Sequence, residues 1–531
     1  MGQRNKENRD GKVMQLVIPM SGVGQRFKDK GYKLPKPFIE ISGKPIVQHV
    51  VEMFPGLEEV LFIVNREHFE DKKLKIESRL ARVSPNAEIA VIDSHKLGPA
   101  WAILQASEYI NLNSPVVVNY CDFACTWDFP AFREELESGI DGLIATYSGF
   151  HPHMLRNTQY AYLKLNEFGN LVEIQEKLSF TSSPMLEPAS SGTYGFGTGQ
   201  ILLNAINKQI ESGDSYNNEY YSSLTYKNMI TSGQVVKNFQ IEKFFQWGTP
   251  EDFEDYKTQK DFFTFKACRE LSNIDVDRIE ILAAGAGRRF AEAGYKEIKP
   301  FLPVGDSFLG LQAIEALGNP STSRGILLQE SQLTSMLHVE KLKSNLIEIR
   351  KVNGLTRGQA DSALISLSSG SDGNCIVGTC DSLIFPQNMN SLSIRGKTIG
   401  VWVTKPSDFA LKHPMQFGWV ELGADSVVSK SWIKEEPLTP QEKFVITGTF
   451  YFGDVPNSIE LLKDFLLQGK TVNGEYYLDS LLEFAIHSGW KVLGLIPEWF
   501  ISLGTPDEYE TYIYWENLFI QRPDLLVEDV I

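Results

Sequence analysis

The sequence predicts an α/β protein built twice over, as two tandem, doubly wound domains with mixed, mainly parallel sheets. Three observations carry this. Short apolar runs alternate with stretches of helical spacing, the pattern of strands joined by crossover helices. The first such run breaks into a glycine-rich loop. And the course recurs: residues 16–38 read LVIPMSGVGQRFKDKGYKLPKPF and residues 281–301 read ILAAGAGRRFAEAGYKEIKPF, with Arg289 and Lys299 each standing 263 positions after Arg26 and Lys36. A chain of 531 residues exceeds one core, and the repeat divides it into units of about 260 residues.

In the first half, residues 44–54 (KPIVQHVVEMF) have helical spacing and 59–64 (EVLFIV) read as a buried strand. A charged helical stretch at 67–83, a strand at 88–92, a helix at 99–109 and a strand at 115–119 (PVVVN) complete the alternation. Beyond Gly142 the strands shorten, at 142–147, 160–165, 171–174 and 192–196. Thr249-Pro250 reads as the cap and first turn of a terminal helix. The predicted boundaries are a flexible polar tail at 1–12, a first domain at 13–266, a linker near 266–277 and a second domain at 278–531.

Composition narrows the chemistry. Apolar content of 42% and charged content of 22% describe an ordinary globular chain without an apolar run long enough to cross a membrane. A net charge of −16 argues against a nucleic-acid partner, though it permits a small anion held by a few local cations. Cys121, Cys125, Cys268, Cys375 and Cys380 show no zinc spacing with histidines, and the odd count suits a reducing compartment, so a cytoplasmic location is expected.

The glycine loop carries the first chemical signal. Gly22 and Gly24 follow a strand, so their backbone N–H groups can lie against phosphate oxygens. Arg26 offers a planar fork of donors to the same oxygens, and Lys36 sits between Pro35 and Pro37 on a stiffened segment. A lone glycine turn would explain one copy; two copies with matching arginine and lysine exceed it. In doubly wound sheets ligands sit at the carboxyl ends of strands. Gly98, between a strand and a helix, is placed there to admit a flat ligand, and Asp122 ends the fourth strand as a candidate magnesium ligand. A turn or cap aspartate explains Asp122 equally well. Glu176-Lys177 is either a site pair or a solvated charge pair. His151-Pro152-His153 reads as a loop, 262–265 (FFTF) as helix-packing surface, and Trp247 as core.

The second half answers most of these signals with Gly285, Gly287, Arg289, Lys299, Gly358 and Asp381. It has no clear Glu-Lys pair: the aligned stretch, 427–436 (VVSKSWIKEE), brings Trp432 and Ile433 near that place.

Together these residues resemble the sugar-phosphate nucleotidyltransferases, or nucleotide-sugar pyrophosphorylases, and the related small-molecule cytidylyltransferases, over nearly the whole chain and twice. The resemblance implies Rossmann-like folds of the GT-A type and an enzyme of the EC 2.7.7 kind. It implies Mg²⁺-dependent transfer from a nucleoside triphosphate, pyrimidine favoured, to a sugar 1-phosphate or similar acceptor, in nucleotide-sugar and polysaccharide synthesis. Arg26, Lys36 and Asp122 would be catalytic, Asp122 holding the metal, with Gly22, Gly24 and Gly98 on the nucleotide and Glu176 and Lys177 on the acceptor. The second half would be either a second transferase using Arg289, Lys299 and Asp381 on another acceptor or a catalytically weak module, and the alternative for the whole is a cytidylyltransferase for a non-sugar phosphate whose second half is a nucleotide-binding module or a pseudo-dimer partner. One departure stands out: where the family carries a second metal aspartate, this chain has Gln246 and Ser502. A nicotinamide-binding fingerprint fails, because Arg26-Phe27 replaces its third glycine and no ribose-binding acid follows.

Overall fold

The computed structural model describes residues 13–156, 159–269, 275–318, 321–387 and 394–526; the tail at 1–12 and most of the expected linker lie outside them. The chain forms two compact units, one taking in residues up to Ala267 together with those from Asn517, the other Cys268–Glu516. The helix Pro250–Cys268 runs through the start of the expected linker.

The first unit is organised on a nine-stranded sheet. Its centre is four parallel strands in the order Val116–Asn119, Gln15–Pro19, Glu59–Asn65, Glu88–Ile92. The side chains of the first three are buried almost throughout, which is why they read as continuous apolar runs, while Glu88–Ile92 at the edge is only partly buried. Ala189–Phe196 pairs antiparallel to Val116–Asn119 and turns the sheet mixed. Beyond it Ala161–Leu165 and Leu171–Glu176 form an antiparallel pair in which Glu176 stands opposite Ala161. A small two-stranded ladder, Phe123–Thr126 with Lys243–Gln246, is laid off the end of the fourth strand.

Local chemistry explains the element ends. Thr198 and Asp128 cap their helices by accepting from Ile201 N and Ala131 N. The charged stretch expected as one helix breaks into Arg66–Glu70 and Ile76–Val83, since Asp71 and Lys75 leave helical geometry between them. Trp247 is fully buried and His49 packs on it at 5.5 Å between ring centres. Phe262 and Phe263 are buried on the helix Pro250–Cys268. His151 and His153 flank a short turn inside an aromatic cluster with Tyr147, and burial pushes His151 down to about 4, which keeps the ring neutral. Four of the cysteines are buried as free thiols and Cys268 is exposed.

The second unit repeats this order on another nine-stranded sheet. Cys375–Thr379, Arg278–Leu282, Ser323–Gln329 and Ile347–Val352 are its parallel centre, with Phe444–Phe452 antiparallel beside Cys375–Thr379. Gly418–Leu422 and Val428–Ile433 form the outer antiparallel pair, with Gly418 opposite Ile433. Among the described residues, no helix is long and apolar enough to cross a membrane.

Candidate active site

The carboxyl ends of the first unit's central strands open into a cavity of about 590 Å³. Gly22, Gly24, Arg26, Lys36, Gly98, Asp122, Glu176 and Lys177 all line it. Residues up to 155 positions apart in sequence therefore share one cleft.

The glycine loop leaves the strand Gln15–Pro19 and enters the short helix Gln25–Asp29 through Gly24, at φ 63° in the left-handed region that glycine adopts without a Cβ penalty. Gly22 needs no such freedom: a Cβ built there would meet nothing within 4 Å, so the loop is open on the cavity side. Lys36 begins a single 3₁₀ turn, Lys36–Phe38, set by extended Pro35. Its ammonium donates to Asp122 Oδ2 at 2.7 Å, and both side chains keep about a quarter of their surface, 21% and 28%. Burial alone would lower the Lys36 pKa, but the Asp122 charge beside it more than offsets this and holds it above the ordinary value.

Asp122 is anchored by its own backbone, whose carbonyl accepts from Trp247 N at 2.7 Å. Its carboxylate faces Gly248, where a Cβ would come within 3.2 Å of Oδ2. Gln246 lines the same wall, and its amide oxygen accepts from the Tyr160 hydroxyl. Among the described residues no cluster of three or more His, Cys, Asp or Glu side chains is poised around a metal. Mg²⁺ commonly takes one or two carboxylates and completes its shell with phosphate oxygens and water, so a single carboxylate at the cleft fits it.

On the opposite wall Glu176 ends its strand, 9% exposed, and accepts from Ser223 Oγ at 2.5 Å. Burial pushes its carboxyl up to about 7, against the pull of the Ser223 hydroxyl and the Lys177 charge. Lys177 follows at φ 58°, donating to the Tyr221 hydroxyl at 2.8 Å with its ammonium 4.6 Å from that ring's centre. Sequence reasoning missed Ser223 and Tyr221, which no spacing signal ties to the pair. Gly98 is glycine for a reason the sequence hides. It sits at φ 88°, and a Cβ would come within 2.7 Å of Tyr220 N and O, so the chain's own backbone already requires glycine at this point of the cavity wall.

Residues 16–260 match the nucleotidyl transferase family. The same part of the chain is 26% identical over 237 residues to the bifunctional protein GlmU of Bacillus mycoides, and 28% identical over 240 residues to that of Oceanobacillus iheyensis. Each alignment takes in 43% of this chain and 47% of the relative, so the chain spans about half the length of the curated relatives it matches. Solved structures similar to it include a nucleoside-diphosphate-sugar pyrophosphorylase from Vibrio cholerae, at 20% identity and a TM-score of 0.39, covering 45% of this chain and 98% of that one. An inositol-1-phosphate CTP transferase from T. maritima matches at 15% identity and a TM-score of 0.36, over 46% of this chain and 92% of that one.

The second unit reproduces much of the first unit's geometry in its own residues. Gly287 enters its helix at φ 62°, and the Gly285 carbonyl accepts from Gln332 Nε2 at 3.3 Å. Lys299 donates to Asp381 Oδ2 at 2.5 Å, Arg289 donates to the Gly504 carbonyl at 3.3 Å, and Leu503 N donates to the Asp381 carbonyl at 2.8 Å. Burial would raise the Asp381 carboxyl, but Lys299 holds it below the usual carboxylate range. Gly358, at φ 130°, meets Tyr476 as Gly98 meets Tyr220, a Cβ there falling 2.6 Å from Tyr476 O. Strand register also revises the sequence alignment of the missing pair by one residue. Lys177 N donates to Tyr160 O at 2.9 Å and Lys434 N to Phe417 O at 3.2 Å, and both lysines are left-handed, at φ 58° and 56°. Ile433-Lys434 is therefore the counterpart of Glu176-Lys177, and the lysine is kept.

Proposed function

We propose that the first unit transfers a nucleotidyl group from a nucleoside triphosphate to a sugar 1-phosphate or similar phosphorylated small molecule. A phosphate oxygen of the acceptor forms a bond to the α-phosphorus, the bond from that phosphorus to the bridging oxygen breaks, and pyrophosphate leaves with the electron pair. The observation that supports this best is the convergence of the phosphate-loop, Lys36–Asp122 and Glu176–Lys177 groups on one cavity.

Both reactants are anions, so the protein's task is to position them and neutralise charge. The Gly22–Gly24 amides and Arg26 hold the leaving pyrophosphate. Lys36, fixed by Asp122, neutralises charge as it builds around the α-phosphorus. Lys177 places the incoming phosphate, and Glu176 reads hydroxyls on the acceptor. Asp122 would hold Mg²⁺, which supplies Lewis-acid neutralisation of the phosphate oxygens when bound. A pyrimidine base, a cytoplasmic setting and a place in nucleotide-sugar and polysaccharide synthesis belong to the same reading. Pyrophosphate release by the full chain, measured with Mg²⁺ over a panel of nucleoside triphosphates and sugar phosphates, tests it. Lys36→Ala should cut turnover by about 100- to 1000-fold. Near-normal turnover in that variant would overturn the assignment.

A further inference from the structure

The outer strand pair of the second unit carries a coupled exchange of three residues. Its register matches that of the first unit: Glu176 stands opposite Ala161, and Ile433 opposite Gly418. The helical turn facing this pair matches as well, because Ala100 N donates to Tyr220 O and Ala360 N to Tyr476 O, each at 3.0 Å. Counting three residues on from each tyrosine gives Ser223 in the first unit and Asp479 in the second. Glutamate on the strand and serine on the turn thus become isoleucine on the strand and aspartate on the helix Leu478–His487.

The third change makes room. A Cβ built at Gly418 would lie 2.2 Å from Asp479 Oδ2, so the carboxylate occupies the volume that an alanine methyl takes at the corresponding position in the first unit. A first-turn aspartate has an ordinary reason to exist in the helix dipole. That reason requires neither the glycine beneath it nor the loss of the strand glutamate. The surroundings agree. Tyr221 feels the charges of Glu219, Glu176 and Arg26, and Tyr477 feels those of Glu475, Asp479 and Arg289, so Asp479 stands to its tyrosine as Glu176 does. Lys434 lies over the Tyr477 ring at 5.8 Å, where Lys177 lies over Tyr221 at 4.6 Å, but its ammonium donates to the Gln416 carbonyl whereas Lys177 donates to the Tyr221 hydroxyl. Burial pushes Asp479 up to about 6, with Lys434 pulling the other way.

We propose that the second unit holds its own subsite for a phosphorylated polyhydroxy acceptor, in which Lys434 receives the phosphate and Asp479 receives hydroxyls from the opposite wall to Glu176. With the carboxylate moved across the subsite and Ile433 on the strand, the acceptor it selects differs from that of the first unit. The proposal rests on the role given above to Glu176 and Lys177.

The test uses the full chain carrying Lys36→Ala with Lys177→Ala, which together cut the first unit's transfer and its acceptor binding. It is assayed for pyrophosphate release with Mg²⁺, with CTP, UTP and dTTP, against α-D-glucose 1-phosphate, N-acetyl-α-D-glucosamine 1-phosphate and glycerol 3-phosphate, alongside calorimetric binding of the same phosphates. The expected result is residual turnover or binding saturable in one phosphate. Lys434→Ala or Asp479→Asn should raise the KM or Kd for that phosphate by about 10- to 100-fold, with the nucleotide KM unchanged. Gly418→Ala with Ile433→Glu and Asp479→Ser, which rebuilds the first unit's arrangement, should shift the preference to the first unit's acceptor. Turnover or binding indifferent to Lys434→Ala and Asp479→Asn overturns the proposal. So does a chain carrying Lys36→Ala with Lys177→Ala that neither turns over nor binds any phosphate while the unmodified chain is active; that outcome leaves the first-unit reading standing. An unmodified chain inert with the whole panel removes the first-unit reading, and this proposal with it.

Discussion

The ammonium of Lys36 meets the carboxylate of Asp122 at 2.7 Å, and among the described residues neither partner has another charged group of opposite sign bonded to it. The two side chains therefore act as one element, and removing either leaves the other in a partly dry cleft without its neutraliser. Asp122→Ala and Lys36→Ala are each expected to lower kcat by about 100- to 1000-fold, and the double variant by no more than the worse single one. Steady-state kinetics on the three variants checks this, with additive losses counting against a shared role.

Glu176 gives a pH signature. Its carboxyl titrates at about 7 in the folded chain against an ordinary value of 4.5, so the folded state binds the extra proton between those values. Folding stability from this group is fully present below the ordinary value and is lost as pH rises toward 7. Glu176→Gln, which cannot ionise, should melt several degrees above the unmodified protein at pH 8 and match it at pH 4 to 5. Thermal melts across that range decide it, and equal melting at both ends would remove the buried-carboxylate account.

Two cleft glycines should separate stability from turnover. A Cβ at Gly98 would come within 2.7 Å of the Tyr220 backbone at φ 88°, so Gly98→Ala should destabilise by about 1–3 kcal/mol. A Cβ at Gly22 meets nothing within 4 Å, so Gly22→Ala should leave denaturant midpoints unchanged while crowding the phosphate loop and raising the KM for nucleotide. Paired unfolding and kinetic measurements read both effects.

Thiol chemistry should sort by burial. Cys268 is exposed, whereas Cys121 is buried beside the Lys36–Asp122 pair and burial pushes its thiol up to about 12. A chromogenic disulfide reagent at pH 8 should label a single cysteine promptly in the native chain. Loss of that fast phase in Cys268→Ser identifies it, and a fast Cys121 would show the cleft to be looser than described.

The glycine loop was legible because its chemistry is local: glycines, an arginine and a proline-flanked lysine follow closely on a strand that reads as apolar. Asp122 was legible by position, at the end of a strand whose neighbours the alternation had ordered. Gly98 was legible as a glycine but for another reason, since its closest neighbour, the Tyr220 backbone, is far away in sequence. The place of Lys434 was hidden because antiparallel register sets it, and the Ser223 contact to Glu176 because a short turn 47 residues along the chain brings the hydroxyl to the strand.

The glycine at 418 also restricts how one acceptor arrangement could ever be converted into the other by single substitutions. Installing the aspartate while an alanine methyl still stands on the strand forces a clash, since the carboxylate oxygen and a Cβ there would be 2.2 Å apart. Installing it while the glutamate persists crowds two carboxylates into one dry corner, where like charges repel. The passable route trims the methyl first, then gives up the glutamate, and only then gains the aspartate, passing through a form whose lysine has no acid beside it. On the proposal made above, such a form would bind its acceptor weakly, so no series of single substitutions converts one arrangement into the other without loss.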